Sequence, residues 1–364
     1  MRVCDLDTPA VLIDLDIMER NLSRAADYAR AHGLRFRPHT KTHKIPELAR
    51  KQLELGAAGL TVAKTGEAEV MLASGTPDLL VAFPILGRKK LDRLMAVADK
   101  TRVTVALDSV EAARELSEAA VGAGVNIGVL VEVDAGLGRV GVPAGPDLVQ
   151  TIQGIEALPQ LRCEGVAFFP GHIRKMDAEG LRALDALAAF VDRMLADLRR
   201  HGIEPAIVSG GSTPSLFHSH RIPGMNEIRP GVYIFNDGNT VAAGACSQAD
   251  CAVSILTTVV STAQPGQAVI DGGSKTFSTD RLASGTEAGF GYVIEEPAAV
   301  VARLWEEHGC LDVSRATRRF SIGDRIRIVP NHICTAMNLH DRVYGIRGGA
   351  VEEAWTVEGR GKLQ

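Results

Sequence analysis

Short apolar runs rich in β-branched residues alternate along the first two-thirds of the chain with longer stretches in which apolar side chains recur every three or four positions. The runs cover residues 11–15, 35–41, 60–63, 79–83, 102–107, 127–133, 165–169 and 206–209. Between them, MERNLSRAADYARAHG, IPELARKQLELG, TGEAEVMLASG, DSVEAARELSEAAVGAG and AEGLRALDALAAFVDRMLADLRRHG read as helices, the first closed by Gly33. Repeated strand–helix units predict a parallel sheet covered by helices. Eight such runs, apolar nearly throughout, predict a closed (β/α)8 TIM barrel. The competing open, doubly wound sheet lacks its G-x-G-x-x-G after the first strand.

Near residue 240 the pattern changes. From DGNTVAAGACSQADCAVSILTTVVSTAQPGQAVIDGG onward helical spacing nearly vanishes, and ILTTVVST, QAVIDGG, DRIRIVP and VEEAWTV read as strands between Gly, Pro and Asp turns. The predicted organisation is a barrel over residues 10–244 and a C-terminal, mostly-β domain over residues 245–364, which residues 1–9 join.

Composition narrows the function classes. Of 364 residues, 46% are apolar and 23% charged, and the net charge is −4 with both signs interspersed. No basic block or basic–aromatic stripe argues for nucleic acid. The start, MRVCDLDTPAVLIDLD, does not resemble a secretory signal, and no apolar run reaches membrane-spanning length. Six scattered cysteines without paired spacing fit reduced thiols in a cytoplasmic protein.

Four segments carry candidate chemistry. RPHTKTHK (residues 37–44) ends the second predicted strand, where barrel enzymes place their active sites. A lysine there can form a Schiff base if its surroundings lower its pKa, although a solvated basic turn would look the same. VSGGSTPS (residues 208–215) offers backbone N–H groups and hydroxyls to an anion; the bland alternative is a tight glycine turn. VEVDAGLGRVGV (residues 131–142) brings Arg139 to a strand end, where it can pair with a phenolate or carboxylate or simply form a surface ion pair. In IVPNHICTAMNLHD, His332 and Cys334 lie two apart on a predicted strand and so on one face. Imidazole plus thiolate suits Zn2+, though a packed His and a core Cys give the same spacing. Lys275 in DGGSKTFSTD reads as a solvated turn residue.

Taken in order, DTPAVLIDLD, RPHTKTHK, LTVAKTGEAEV, VEVDAGLGRVGV, SGGSTPS, EIRPGVYIFND and NHICTAMNLHD resemble the D-serine dehydratase and D-threonine aldolase family over nearly the whole chain. These are fold-type III pyridoxal-phosphate enzymes with an alanine racemase-like barrel. PHTKTHK and H-x-C are the most specific parts of the likeness. The resemblance implies that Lys41 holds the cofactor and that His43 sits near the reacting centre. It implies that Arg139 lies by the phenolic oxygen, that Gly211, Ser212, Thr213 and Tyr233 hold the phosphate, and that His332 and Cys334 bind a divalent metal. A homodimer is expected by the same analogy.

The implied chemistry branches on a β-hydroxy D-amino acid, with the cofactor ring as electron sink. If Lys41 removes the α-proton and the metal polarises the β-hydroxyl, hydroxide leaves and a 2-oxo acid and ammonia result. If His43 or the metal deprotonates that hydroxyl, Cα–Cβ breaks and glycine and an aldehyde result. The family's dehydratases resemble H-x-C with Zn2+, its aldolases H-x-D with Mn2+ accepted, so Cys334 leans the expectation towards dehydration. NLHD and the C-terminal GRGK are aldolase-like, and Ala167 and Phe169 stand where the dehydratases are similar in Tyr-x-His. An amino-acid racemase and a non-catalytic cofactor carrier are the remaining alternatives. The first would work without metal; the second typically has no β domain.

Overall fold

A computed structural model of the chain describes residues 1–283 and 289–364. They form two compact units: Ser23–Gly231 with Gly361–Gln364, and Met1–Leu22 with Val232–Arg360.

Strand β1 (Ala10–Asp14) and helix α1 (Leu15–Ala31) open the chain. The first unit then contributes eight strands: β2 (Arg35–Phe36), β3 (Leu60–Val62), β4 (Asp78–Val81), β5 (Arg102–Leu107), β6 (Ile127–Glu132), β7 (Leu161–Ala167), β8 (Ile207–Gly210) and β9 (Glu227–Ile228). All pair in parallel, in the order β2-β9-β8-β7-β6-β5-β4-β3. The two ends meet beyond β2: His39 bridges Thr61, and the Thr61 N–H donates to the Pro38 carbonyl at 2.8 Å. The sheet is therefore closed as a (β/α)8 barrel.

Helices α2 (Pro46–Glu54), α3 (Thr65–Met71), α4 (Arg88–Ala98), α5 (Val110–Ala123), α6 (Pro146–Glu156) and α7 (Ala178–Arg200) fill the connections from β2 to β8. Their ends follow local chemistry. The Ser109 hydroxyl accepts the Ala112 N–H to start α5, and left-handed Gly124 ends it. Asp177 accepts two N–H groups at the start of α7, and Arg199 and Arg200 occupy its last turn. A Cβ on Gly165, whose φ is +148°, would stand 1.9 Å from the Ile207 carbonyl oxygen, so β7 approaches β8 only because it has none.

The barrel interior holds an apolar layer of Leu80, Ala106, Leu130, Ala167 and Ile207. Towards the strands' N-terminal ends it holds charge. Fully buried Arg37 pairs with Asp78 at 2.7 Å and with Glu227 at 3.0 Å, Arg102 joins Asp78 to Glu164, and Ser209 donates to Glu227 at 2.7 Å.

The second unit contains β10 (Val253–Ser261), β11 (Gln267–Ile270), β12 (Gly291–Val293), β13 (Val300–Leu304), β14 (Gly309–Asp312), β15 (Arg325–Pro330), β16 (Arg342–Arg347) and β17 (Ala350–Thr356). Short helices α8 (Gly238–Ala242), α9 (Ser274–Phe277) and α10 (Ile333–Met337) interrupt them. With β1 the strands form one nine-stranded sheet, antiparallel except where β1 runs parallel to β16.

Two strands differ from the sequence reading. The run at 11–15 is not a barrel strand: β1 pairs with β10 and β16, Val11 lying opposite Ile255 and Val343. The barrel's eighth strand is instead the two-residue β9, held between β2 and β8. The units divide at 22/23 and 231/232.

Candidate active site

The segment after β2 turns through Thr40–Thr42, with the His39 ring accepting the Lys41 N–H at 3.4 Å. Its two lysines part company here. Lys44 adopts φ +57° and buries its ammonium against Glu67 at 3.1 Å. Lys41 is exposed, and its ammonium makes no ion pair or hydrogen bond among the described residues. His39 is buried, and burial together with the positive charges of Lys41 and Arg229 holds its ring well below the usual imidazole range. His39 therefore stays neutral between two cations at the barrel mouth.

His43 lies behind the turn. It is fully buried, its Nδ1 accepts the Ile45 N–H at 3.1 Å, and its Nε2 donates to Gln52 at 3.3 Å. Both ring nitrogens are thus engaged by the barrel wall, and burial lowers its pKa to about 4.

After β6, Asp134 Oδ1 accepts the N–H groups of Gly136, Leu137 and Gly138, each at 3.0 Å. This pins the loop from which Arg139 reaches over the Phe169 ring, 5.1 Å from its centroid. After β8, Gly211 takes φ +88°, and Ser212 Oγ meets Ser215 Oγ at 3.0 Å. The N–H groups of Gly211, Ser212 and Thr213 donate to no protein acceptor among the described residues. Three consecutive open donors make an anion cradle.

Sequence reasoning passed over Arg229, although EIRPGVYIFND contains it. Arg229 is buried just after β9; it donates through Nη2 to the Phe168 carbonyl at 3.0 Å, and its Nε has no acceptor among the described residues. Glu132, buried at the end of β6, is raised above the usual carboxylate range by burial, which the charges of Arg229 and Arg139 oppose.

In the second unit His332 and Cys334 come together, but not on a strand. His332 is the N-cap of α10, and Cys334 sits in its first turn. The ring donates from Nδ1 to buried Asp237 at 3.2 Å. Burial opposes charge on this ring, but the Cys334 thiolate and Asp237 outweigh it and raise its pKa well above the imidazole range. Among the described residues no group of three or more His, Cys, Asp or Glu side chains forms a metal cage. Lys275 is exposed and paired with Glu306 and Glu307.

Residues 13–238 match the family model for the alanine racemase N-terminal domain, and residues 252–346 that for a putative serine dehydratase domain. The chain is 34% identical to a 3-hydroxy-D-aspartate aldolase of Paracoccus denitrificans, over 98% of this chain and 93% of that one. It is also 34% identical to a D-threo-3-hydroxyaspartate dehydratase of a Delftia species, over 90% of this chain and 91% of that one. Its fold superposes on a D-threonine aldolase from Filomicrobium marinum with a TM-score of 0.93 at 33% identity, covering 100% and 98% of the two chains. The chain belongs to the D-serine dehydratase and D-threonine aldolase family of pyridoxal-phosphate lyases.

The residues on the barrel fit that cofactor. The open cradle at Gly211–Thr213 suits a phosphate, the unengaged Lys41 amine an aldehyde, and the orphaned Arg229 Nε–H an acceptor on a ring. Tyr233, also expected at the phosphate, is buried in a turn of the second unit, Val232–Ile234. The donors at His332 and Cys334, one imidazole and one thiol, suit a borderline-soft cation with further positions left to water or substrate. Among relatives, solved forms of a D-threo-3-hydroxyaspartate dehydratase carry alanine for a histidine and for a cysteine two positions on, the latter described as metal-free. No described helix is long and apolar enough to cross a membrane.

Proposed function

We propose that this lyase eliminates water from a β-hydroxy D-amino acid to an enamine, whose imine form takes water back on hydrolysis, so that the net products are a 2-oxo acid and ammonia, with Zn2+ held by His332 and Cys334. The observation that carries the reading is the H-x-C pair at the start of α10. It has the spacing of the histidine and cysteine varied in the dehydratase relative, whereas the family's aldolases resemble H-x-D. His43 adds support. As a base on the β-hydroxyl it would serve Cα–Cβ cleavage, but both its nitrogens are bonded within the barrel wall.

Bound pyridoxal phosphate would supply an electron sink for charge developing at Cα. The chain's own groups do the rest. Lys41 would hold the cofactor through its Nζ, and the same amine, when free, would accept the α-proton. Gly211, Ser212 and Thr213 would donate to the phosphate, for which Tyr233 is a further candidate donor, Arg139 would offset charge on the phenolic oxygen, and Arg229 would donate from Nε. His332 and Cys334 would hold a cation, which would supply Lewis-acid stabilisation of charge on the β-oxygen. The reading includes a cytoplasmic homodimer, which sedimentation of the purified protein tests.

Aldol cleavage is the second reading, and Ala167 and Phe169 favour it because they depart from the dehydratases' Tyr-x-His. The test is product analysis on D-serine, D-threonine and 3-hydroxy-D-aspartate, with and without EDTA. Dehydration yields 2-oxo acid and ammonia in equal amounts and stops with EDTA. Glycine and an aldehyde as the main products would overturn it. Proton exchange on L-alanine that survives EDTA would point to a racemase.

A further inference from the structure

The H-x-C pair is backed by a residue from another part of the second unit. Asp237 is fully buried and caps α8, its Oδ1 accepting the Thr240 N–H at 3.0 Å. Its Oδ2 faces the other way and accepts two donors, His332 Nδ1 at 3.2 Å and the Ile333 N–H at 3.1 Å. The backbones are also joined: the Asn239 N–H donates to the Asn331 carbonyl at 3.0 Å. A Cβ on Gly238 would stand 3.1 Å from Asn331 Cα, so α8 packs directly against the residue that precedes His332. One carboxylate thus fixes both the ring of His332 and the first N–H of the helix that carries Cys334.

We infer that Asp237 is the positioning residue of the metal pair: it holds the His332 proton on Nδ1, so that Nε2 presents its lone pair to the cation, and locks the start of α10 so that Cys334 stays beside it. This rests on the reading of His332 and Cys334 as metal ligands. An ionised carboxylate is acceptor-only, a property that only another carboxylate shares. Orienting partners of this kind typically govern metal affinity by roughly 10–100-fold.

The test uses the purified holoenzyme stripped of metal and measures Zn2+ affinity by competition with a chromophoric chelator. The variants are Asp237→Asn, Asp237→Glu and Cys334→Ala. Asparagine has one acceptor oxygen: it can keep the Thr240 cap or the His332 contact, but not both. We expect Asp237→Asn to weaken Zn2+ binding roughly 10–100-fold. It should also shift the thiolate-to-metal charge-transfer band of the Co2+-loaded protein, and Asp237→Glu should recover part of both. Melting temperature and circular dichroism report whether the cap alone was lost. A folded Asp237→Asn protein with Zn2+ affinity within twofold of wild type and an unmoved Co2+ band overturns the inference while Cys334→Ala still loses metal. If Cys334→Ala also keeps wild-type affinity, the metal pair itself is wrong and the inference falls with it.

Discussion

The two ends of the barrel treat buried polar groups in opposite ways. Towards the strands' N-terminal ends Asp78, Arg102 and Glu227, joined by the side chains of Glu164 and of Arg37 from just beyond β2, form a network in which each charge meets an opposite one. At the C-terminal ends donors are left open among the described residues: the exposed Lys41 ammonium and, buried or half-buried, the Arg229 Nε–H and three successive N–H groups from Gly211 to Thr213. A buried donor without an acceptor is destabilising by about 1–3 kcal/mol. A fold keeps several of them at one end when a ligand supplies the acceptors. Stability and chemistry are thus assigned to different residues of the same strands: β9 begins at Glu227 in the charged network and is followed, two residues on, by Arg229 at the mouth.

That division can be broken, and the sharpest cut is at Lys41. Lys41→Ala should lose the bound cofactor's visible absorbance and about 10²–10⁴-fold in turnover from the missing proton transfer. Its melting temperature should stay near wild type. Lys44→Ala should do the reverse, because it strands buried Glu67. Identical spectra for Lys41→Ala and wild type would end the assignment.

At the other end, Arg37→Met leaves Asp78 and Glu227 short of a buried partner and should lower stability by about 3–5 kcal/mol in urea unfolding. The folded fraction should still bind cofactor with wild-type affinity. A variant that is stable but cofactor-free would show that the two ends are not separable.

Next in size is a pH effect. Folded His43 titrates near 4, well below the 6.5 of an unrestrained ring. Between these values the unfolded chain binds a proton that the folded one refuses. Stability is therefore full above about pH 6.5 and falls as the pH drops towards 4, by about 3 kcal/mol from this residue. Buried His39 acts in the same direction. Urea midpoints at pH 7 and 4.5 should converge for His43→Asn relative to wild type; an unchanged difference would place the acid sensitivity elsewhere.

The smallest effect is expected at Ser212. Ser212→Ala keeps all three backbone donors and should weaken cofactor binding by about 0.5–1.5 kcal/mol, a few-fold in equilibrium dialysis. A loss of a hundredfold or more would mean that the hydroxyl, not the backbone, holds the phosphate.

The sequence was most readable where one element speaks for itself. Helix α7 and strands β5 and β6 follow from periodicity and from caps such as Asp177. It was least readable where the deciding partner lies far along the chain. Residues 11–13 are apolar whichever sheet they join, and only pairing with Ile255 and Val343 decides it. Two residues are too few to show a period, so β9 is visible only as the gap between β2 and β8. Lys41 and Lys44 differ by the left-handed φ of Lys44 and its pairing with Glu67, neither of which spacing reveals. The H-x-C pair has a short helix under it because Asp237, distant in sequence, accepts its first N–H. Asp237 closes EIRPGVYIFND, a segment legible as a motif but silent about what its last residue touches.

The placement of β1 bears on how the chain is made. Its partners Ile255 and Val343 leave the ribosome long after it, with the whole barrel in between. During synthesis the AVLID segment has no sheet to enter, while residues 23–231 already hold all of their own unit except its last four residues, Gly361–Gln364. The barrel is an insertion within a discontinuous second unit, so that unit cannot finish before the last strands emerge. A waiting apolar strand is exposed to mispairing with its neighbours on a crowded polysome. Yield in a host should therefore respond to translation speed and chaperone supply more than the melting temperature of the finished protein would suggest.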